Sequence, residues 1–218
     1  MMKPLRIALT KGRLEKDIVA LFSAMGFDVS QLQNKGRKLM LPVPDAGLEA
    51  VLAKAADVIT YVERGVCDLG VVGKDTVMEQ GGSFFEVMDL GFGKCRFALA
   101  AKKGTRFYEG TQVKTIATKY SGVARAFFEK KGMDVDIIHI EGSVELAPIL
   151  GLADAIIDIV ETGDTLRENG LEVIEEICPI SARMIINVVS MKLRKEEIEN
   201  LLSKVAGALS GVELGTSN

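Results

Sequence analysis

The sequence predicts an α/β protein of two lobes, with mixed and mostly parallel sheets and a cleft between the lobes. Along the 218 residues, apolar runs of strand length alternate with amphipathic segments of helical spacing, which is typical of α/β folds. Two short joints, at 91–94 and 178–180, contain the glycine and proline that often mark domain boundaries. They divide the chain into a first lobe of residues 1–91 and 180–218 and a second lobe of residues 92–179.

The first elements set the pattern for the rest of the chain. Leu5–Thr10 has the length and apolar character of a strand, and the next helix carries apolar residues from Leu14 to Met25 before ending at Gly26. Leu48–Lys54 stays open between helix and strand, because its composition favours a helix whereas its short length also suits a strand. The other predicted strands are Lys38–Val43, Asp68–Val72, Val87–Leu90, Arg96–Ala101, Val113–Ala117, Val135–Ile140, Asp154–Val160 and Arg183–Val189, and the other predicted helices are Asp75–Glu79, Ser121–Lys131, Val144–Leu150, Thr165–Asn169 and Lys195–Leu209.

Composition and charge exclude several classes of function. Hydrophobic residues make up 48% and charged residues 26%, which is a globular balance. A net charge of -3 gives no general attraction for nucleic acid, so an anionic ligand must be held by a few local groups. Basic residues interrupt the first 13 positions and no apolar run reaches the length of a membrane span, so the sequence predicts a cytoplasmic protein without a membrane partner.

Cysteine and histidine usage excludes other kinds of site. The three cysteines, Cys67, Cys95 and Cys178, lie far apart, so neither a disulfide framework nor a zinc site is predicted. His139 is the single histidine, on an apolar run, where a structural role is more usual than catalysis. Neither a Ser-His-Asp constellation nor a histidine-rich metal cluster can therefore be built from this sequence.

The segment Gly151–Gly170 is typical of phosphate binding, because a buried strand leads into a polar turn that opens a short helix. Gly163 would let the backbone approach an oxygen closely, and threonines on either side of it would add hydroxyl donors. Asp158 and Glu161 lie at the end of the strand, where carboxylates could accept hydrogen bonds from ribose hydroxyls or bind Mg²⁺. An ordinary helix cap at Thr162 is the alternative interpretation of the same residues.

The polar turn belongs to a longer segment, DAIIDIVETGDTLRENGLEVIEEI, that resembles the phosphoribosyl pyrophosphate loop of the ATP phosphoribosyltransferases. Four more segments resemble blocks of the same family in the same order: ALTKGRLEKD, KGRKLMLPVPDAG, DVITYVERGVCDLGVVGKD and ISARMIINVVSMK. The resemblance covers nearly the whole chain. Two positions depart from it: Lys54 stands where many members have arginine, and Ser121-Gly122 stands where proline-asparagine is common.

The resemblance implies a fold, a reaction and a set of site residues. The fold would be the type II architecture of periplasmic binding proteins, and the reaction would transfer a phosphoribosyl group to N1 of ATP with Mg²⁺ present. The metal ligand stays unknown. The resemblance assigns phosphoribosyl pyrophosphate binding to Asp158, Glu161, Thr162, Gly163, Asp164, Thr165 and Leu166, catalysis to Lys11, Arg13 and Arg37, and ATP binding to Lys54, Gly73, Lys74, Asp75 and Arg96.

The basic residues of this set have alternative interpretations. Lys11 and Arg13 follow the first strand, where cations at a helix start oppose the helix dipole, which favours a role in binding an anion. Arg37 could clamp a pyrophosphate or triphosphate, or could be an ordinary exposed arginine. Lys94 and Arg96 could place positive charge at the cleft, or could protect an edge strand from pairing.

Chain length implies a partner within this family. Long members carry an added regulatory domain, and at 218 residues with a polar tail, GVELGTSN, the chain is expected to be a short member. Short members work with a separate regulatory subunit that resembles histidyl-tRNA synthetase, so a hetero-oligomer built on a dimer of this chain is expected. The last helix is expected to pack on its own lobe in preference to a partner.

Two other classes of protein are alternatives to the enzyme. A bilobed solute-binding protein would use the same architecture, but the sequence begins without a secretion signal and the ETGDTL turn favours a phosphorylated ligand. A dinucleotide enzyme is disfavoured, because no GxGxxG follows a strand in the required context.

Overall fold

The computed structural model describes residues 3–215, with side chains described through residue 211. The predicted polar tail therefore lies partly outside the described residues. The chain divides into unit 1, which runs to Gly93 and resumes at Ser181, and unit 2, which spans Lys94–Ile180. From the amino end, the elements are β1 (Leu5–Thr10), α1 (Arg13–Ala24), α2 (Ser30–Gln33), β2 (Met40–Val43), a 3₁₀ turn (Pro44–Ala46), β3 (Leu48–Ala53), α3 (Ala55–Glu63), β4 (Leu69–Gly73), α4 (Lys74–Gln80), β5 (Phe84–Asp89), β6 (Cys95–Lys102), β7 (Lys114–Thr118), α5 (Ser121–Lys130), β8 (Val135–His139), α6 (Leu146–Ile149), β9 (Ala155–Val160), α7 (Asp164–Glu168), β10 (Leu171–Ile180), β11 (Ala182–Asn187), α8 (Val188–Leu193) and α9 (Lys195–Gly215).

Each unit is built on one mixed sheet, which confirms the predicted α/β class. Unit 1 contains six strands in the order β2-β3-β1-β4-β11-β5, and unit 2 contains five in the order β10-β6-β9-β7-β8. Within residues 3–215, four of the nine strand pairings are parallel, so parallel pairing is common but is not the majority that the sequence predicted. Short links explain part of the difference: β2 and β3 are joined by four residues, which forces an antiparallel pair.

The sheet of unit 1 is covered on both faces. One face packs against α1 and α9, where Phe22 and Ile198 are fully buried. The other face packs against α3, and the close approach depends on Gly70, because a Cβ there would lie 2.8 Å from Val58 and from Val62. The last helix thus packs on its own unit, as predicted, through Ile198, Leu201 and Val205.

The core of unit 2 anchors the segment predicted to bind phosphate. On one face of the sheet Phe97 packs with Phe128 of α5, and on the other face Val160 and Leu166 lie in a second cluster. Leu166 is 5% exposed, so its side chain fixes the start of α7 to the sheet and does not face solvent. The turn before it, residues 161–165, therefore lies between two buried anchors.

Several predicted elements are corrected by the structure. Leu48–Ala53 is a strand, which resolves the open assignment, and the sequence missed α2, α3, α8 and β10. The predicted strand Arg183–Val189 is wrong after Asn187, because the Asn187 side chain accepts hydrogen bonds from the backbone N–H groups of Val189 and Ser190 and so starts α8. Among the described residues, no helix combines the length and apolar character needed to cross a membrane.

Candidate functional site

One edge of the sheet in unit 2 gathers most of the polar residues predicted there. The parallel strands β7, β8 and β9 end at this carboxyl edge, and the segments at and just after their ends include Lys119–Ser121, His139–Glu141 and Glu161–Thr165. Strand β6 runs antiparallel to β9 with Arg96 opposite Val160, so its first residues lie at the same edge. Ligands of open α/β sheets bind at this end of the strands.

The turn after β9 leads through a glycine into a short helix. Gly163 adopts φ 82° and precedes α7, a conformation that favours glycine. The helix has only five residues, so its dipole is small and hydrogen bonds must supply most of any affinity. The Thr162 hydroxyl donates to Asp164 Oδ2 at 2.6 Å, and the Asp164 N–H donates to Thr162 Oγ1 at 3.3 Å. Thr165 is exposed beside them.

Arg96 fixes the start of this turn. Its Nη1 donates to the Glu161 carbonyl at 2.9 Å, and its Nε lies 2.6 Å from Glu176 Oε1. Beside it an open cavity of about 530 Å³ is lined by residues of unit 2 alone, among them Lys94, Cys95 and Cys178. Arg96 was predicted to bind ATP, and the structure places it in unit 2, whereas the other predicted ATP-binding residues lie in unit 1.

Asp158 is a partly buried acid at this edge. Burial raises the pKa of Asp158 to about 6, and the neighbouring negative charge of Glu145 adds to the effect. A hydrogen bond from the Ile159 N–H and the positive charge of Lys119 oppose it. The carboxylate therefore lies where the fold penalises its charge, which is common for groups kept for function.

We expect Asp158→Asn to stabilise the fold at high pH. Because the folded-state pKa lies above the ordinary value of 3.8, the stabilising contribution of Asp158 is fully present below pH 3.8 and is lost as the pH rises to about 6. The loss is about 3 kcal/mol at most, at 1.36 kcal/mol per pKa unit. Chemical unfolding at pH 4 and pH 8 should show Asp158→Asn gaining stability over the wild type only at pH 8. An equal difference at both pH values would contradict this, and Asp136→Asn, an exposed carboxylate on β8, is the matched control.

His139 ends β8 with its side chain about half exposed. Its Nε2 lies 3.1 Å from Glu141 Oε1, and its Nδ1 lies 3.4 Å from Ser121 Oγ. The hydrogen bond to His139 lowers the pKa of Glu141, and the charge of Lys119 lowers it further. These contacts connect the turns after β7 and β8.

The carboxyl edge of the sheet in unit 1 gathers the predicted basic residues. Lys11 follows β1, Lys54 follows β3, and Gly73 ends β4 directly before Lys74 and Asp75. Both β3 and β4 pair in parallel with β1. Arg13 is the first residue of α1. Arg37 precedes β2, which runs antiparallel to β3, so Arg37 reaches the same edge. The predicted catalytic residues are thus brought together on one edge of unit 1.

A buried glutamate that the sequence interpretation missed connects two basic turns. Glu15 is 6% exposed, accepts a hydrogen bond from the Gly12 N–H at 3.4 Å and forms an ion pair with Lys35. The pair joins the Lys-Gly-Arg turn at 11–13 to the Lys-Gly-Arg turn at 35–37. The repeated tripeptide, with glutamate three residues after the first glycine, was the available signal.

A second missed group lies at the other end of this edge. Arg183 places Nη2 at 3.0 Å from Asp89 Oδ2, and the Ser181 hydroxyl donates to Asp89 Oδ1 at 2.7 Å. Lys74, predicted to bind ATP, places Nζ at 2.6 Å from Glu86 Oε2. Its charge is therefore shared with Glu86, and a nucleotide phosphate would have to compete for it.

Two predicted ATP-binding positions have simple local roles. Lys54 is the exposed residue that precedes α3. Gly73 precedes α4, and a Cβ at this position would overlap the Asp75 carboxylate, so glycine is needed while Asp75 keeps its place.

Comparison with known proteins places the chain in one family. The family model "HisG: ATP phosphoribosyltransferase" matches residues 54–207. The chain is 58% identical over 211 residues to the ATP phosphoribosyltransferase of Clostridium kluyveri, covering 97% of this chain and 96% of that protein. It is 56% identical over 203 residues to that of Clostridium acetobutylicum, covering 93% and 94%.

Two solved structures are similar to the fold. A chain of the "ATP phosphoribosyl transferase (HisG:HisZ) complex from Thermotoga maritima" is 33% identical with a TM-score of 0.80, over 95% of this chain and 99% of that one. The periplasmic aliphatic sulphonate binding protein SsuA of Escherichia coli matches with a TM-score of 0.59 at 12% identity, over 96% and 74%. The second likeness concerns the fold alone, and it confirms the predicted periplasmic-binding-protein-like architecture.

Proposed function

The chain belongs to the ATP phosphoribosyltransferase family, and from this premise we propose the reaction that it catalyses and the residues that serve it. It transfers the 5-phosphoribosyl group of phosphoribosyl pyrophosphate to N1 of ATP, giving 1-(5-phosphoribosyl)-ATP and pyrophosphate. This transfer is the first step of histidine biosynthesis.

The turn after β9 is the main structural support for the proposal. It is exposed, it lies at the carboxyl end of a buried strand, and its Gly163 at φ 82° leaves room for an oxygen beside the backbone. Thr165 supplies a hydroxyl donor, Thr162 supplies a second when its hydroxyl turns from Asp164 to the phosphate, and the backbone N–H groups of Gly163, Asp164 and Thr165 supply the rest. Leu166 acts through the backbone, since its side chain is buried. These groups hold the 5-phosphate of phosphoribosyl pyrophosphate.

The acidic residues next to the turn serve the ribose. In the transfer, the bond from C1 of the ribose to the pyrophosphate oxygen breaks and a bond from C1 to N1 of the adenine forms. C1 gains positive character as pyrophosphate leaves, so negative charge nearby favours the transition state. Asp158 and Glu161 accept hydrogen bonds from the ribose hydroxyls and fix the ring for the attack.

The basic edge of unit 1 serves the other anions. Lys11, Arg13 and Arg37 neutralise the charge of the leaving pyrophosphate, because a positive charge is most useful where negative charge develops. Lys54 and Gly73–Asp75, with Arg96 of unit 2, contact ATP.

Mg²⁺ fits this donor set only in part. Among the side chains that the structure describes, residues 3–211, no three of His, Cys, Asp or Glu are grouped to hold a metal. Mg²⁺ commonly binds one or two carboxylates together with substrate phosphates and waters, and Asp158 or Glu161 would supply that protein share. When bound, the ion would offset the charge of the pyrophosphate.

A second protein completes the proposed assembly. The Thermotoga maritima relative was solved as a HisG:HisZ complex. We propose that this chain likewise forms a hetero-oligomer, with a regulatory subunit resembling histidyl-tRNA synthetase and a dimer of the catalytic chain as its building block. The assembly acts in the cytoplasm, with neither nucleic acid nor membrane as partner.

The experiment that tests the function is a direct assay. The purified chain is incubated with ATP, phosphoribosyl pyrophosphate and Mg²⁺, with and without the regulatory subunit, and phosphoribosyl-ATP is measured. We expect formation of the product with the subunit present, and inhibition by histidine only then. Absence of product under both conditions would refute the function, and full activity with histidine inhibition in the chain alone would refute the partner.

A further inference from the structure

The turn proposed to hold the 5-phosphate is strongly acidic. From residue 158 to residue 166 the sequence contains three carboxylates and no basic residue. A phosphate bound there would be repelled by Asp158, Glu161 and Asp164 unless a cation faced it. Arg96, the nearest cation on β6, is already held by the Glu161 carbonyl and the Glu176 carboxylate.

Arg167 lies directly over this turn. Its Nη1 donates to the Thr162 carbonyl at 3.3 Å, and its Nη2 forms an ion pair with the Asp164 carboxylate. The same Nη1 lies 3.7 Å from the position that a Cβ on Gly163 would take. The guanidinium therefore borders the side of Gly163 from which a ligand oxygen would approach.

The Arg167–Asp164 pair contributes little to the stability of the fold. The two side chains are 67% and 59% exposed, and exposed pairs of this kind are worth little in water. The hydrogen bond from Thr162 and the charge of Arg167 lower the pKa of Asp164, so the carboxylate is charged at any ordinary assay pH. The pair is better explained by its effect on the turn. It holds the Arg167 guanidinium, a planar cation with five N–H donors, beside Gly163.

We propose that Arg167 is a phosphate-binding residue of the turn, and that Asp164 is the positioning residue that holds its guanidinium over Gly163. This rests on the function proposed above and adds a cation to its phosphate site. The guanidinium has donors left after contacting Thr162 and Asp164, so it can bind a phosphate oxygen without leaving them. The Asp164 carboxylate acts through Arg167 and does not itself touch the phosphate, whereas the Asp164 backbone N–H stays among the donors proposed above.

The test measures the dissociation constant of ribose 5-phosphate, which carries the 5-phosphate alone, and the steady-state constants for phosphoribosyl pyrophosphate. Arg167→Met should weaken ribose 5-phosphate binding about tenfold and raise the KM for phosphoribosyl pyrophosphate similarly, with kcat changed less than about twofold, because a charge-assisted contact to a dianion is lost. Arg167→Lys should restore part of the affinity. The dependence of binding on salt should be weaker in Arg167→Met than in the wild type.

A double-mutant cycle separates direct contact from simple neutralisation of Asp164. If Arg167 touches the phosphate and Asp164 positions it, Arg167→Met remains costly when Asp164→Asn is also present, but less costly than in the wild type, because asparagine holds the guanidinium less firmly. If Arg167 only cancels the charge of Asp164, the cost disappears in the Asp164→Asn background, and the proposal is overturned. Arg106→Met is the matched control, since Arg106 forms the same kind of exposed pair with Glu109 three residues away, beyond the far end of β6.

Thr165→Ala shows whether a negative result concerns Arg167 alone or the whole turn as the phosphate site. If Thr165→Ala weakens ribose 5-phosphate binding and Arg167→Met does not, the role of Arg167 is refuted and the site stands. If neither change affects binding, the assignment of the turn as the phosphate site fails, and the role of Arg167 fails with it.

Discussion

Replacing Gly163 and Thr165 together with alanine is expected to lower kcat/KM for phosphoribosyl pyrophosphate by two to four orders of magnitude. Each hydrogen bond to a charged group is worth about 1.5–3 kcal/mol, and the double change removes one and misplaces another. The backbone of the turn must shift because alanine is disfavoured at the φ of 82° that Gly163 adopts. Steady-state kinetics with varied phosphoribosyl pyrophosphate measure the loss.

The fold should survive this double change. Around Gly163 an added Cβ would meet only Arg167 Nη1 and Val160 Cγ1, both at 3.7 Å, and Thr165 is exposed. We expect the free energy of unfolding to fall by no more than about 2 kcal/mol. Gly110→Ala with Thr111→Ala is the matched control, because Gly110 also has positive φ, at 91°, in an exposed loop before β7. Equal activity in the two double variants would contradict the role of the turn.

Glu15→Ala is expected to lower kcat/KM by about ten- to a hundredfold and to destabilise the fold by about 1–3 kcal/mol. The buried carboxylate accepts a hydrogen bond from Gly12 and pairs with Lys35, so its removal frees both Lys-Gly-Arg turns at once. Because the Lys35 side chain is partly exposed, water can solvate its charge after Glu15 is removed. The loss in free energy of unfolding is therefore at the lower end for a broken buried pair. Denaturant unfolding and steady-state kinetics measure the two effects.

Two variants sharpen this prediction. Glu15→Gln can still accept from Gly12 and should recover much of the stability but less of the activity, since the charge that holds Lys35 is gone. Glu49→Ala breaks the Arg6–Glu49 pair on the same sheet away from its carboxyl edge, and should leave kcat/KM unchanged. If Glu15→Ala lost stability and kept full activity, the basic turns would not depend on Glu15.

Much of the fold could be predicted because hydrophobic periodicity is local. The strand Leu5–Thr10 and the helix α5 agree with the sequence within one residue, since each has a continuous apolar face. The missed strand β10 carries three glutamates among its apolar residues, and its edge position, next to β6, explains why it could be so charged. A single sequence does not say which strands lie at an edge.

Side-chain pairings at the site were harder to predict than the backbone that carries them. The turn at Gly163 could be placed from residue types, because glycine and threonine in that order indicate a backbone conformation. The pairing of Glu15 with Lys35, or of Lys74 with Glu86, depends on residues that the fold brings together from 12 to 20 positions apart. Such contacts follow from tertiary packing, which residue spacing does not encode.

A crystal structure of the protein with bound phosphoribosyl pyrophosphate tests the central claim most directly. We predict the 5-phosphate within about 3.2 Å of the backbone nitrogen of Gly163 or Asp164, with an Arg167 nitrogen at a similar distance. A ligand bound elsewhere, with the turn at 161–165 making no contact to any phosphate, would contradict it.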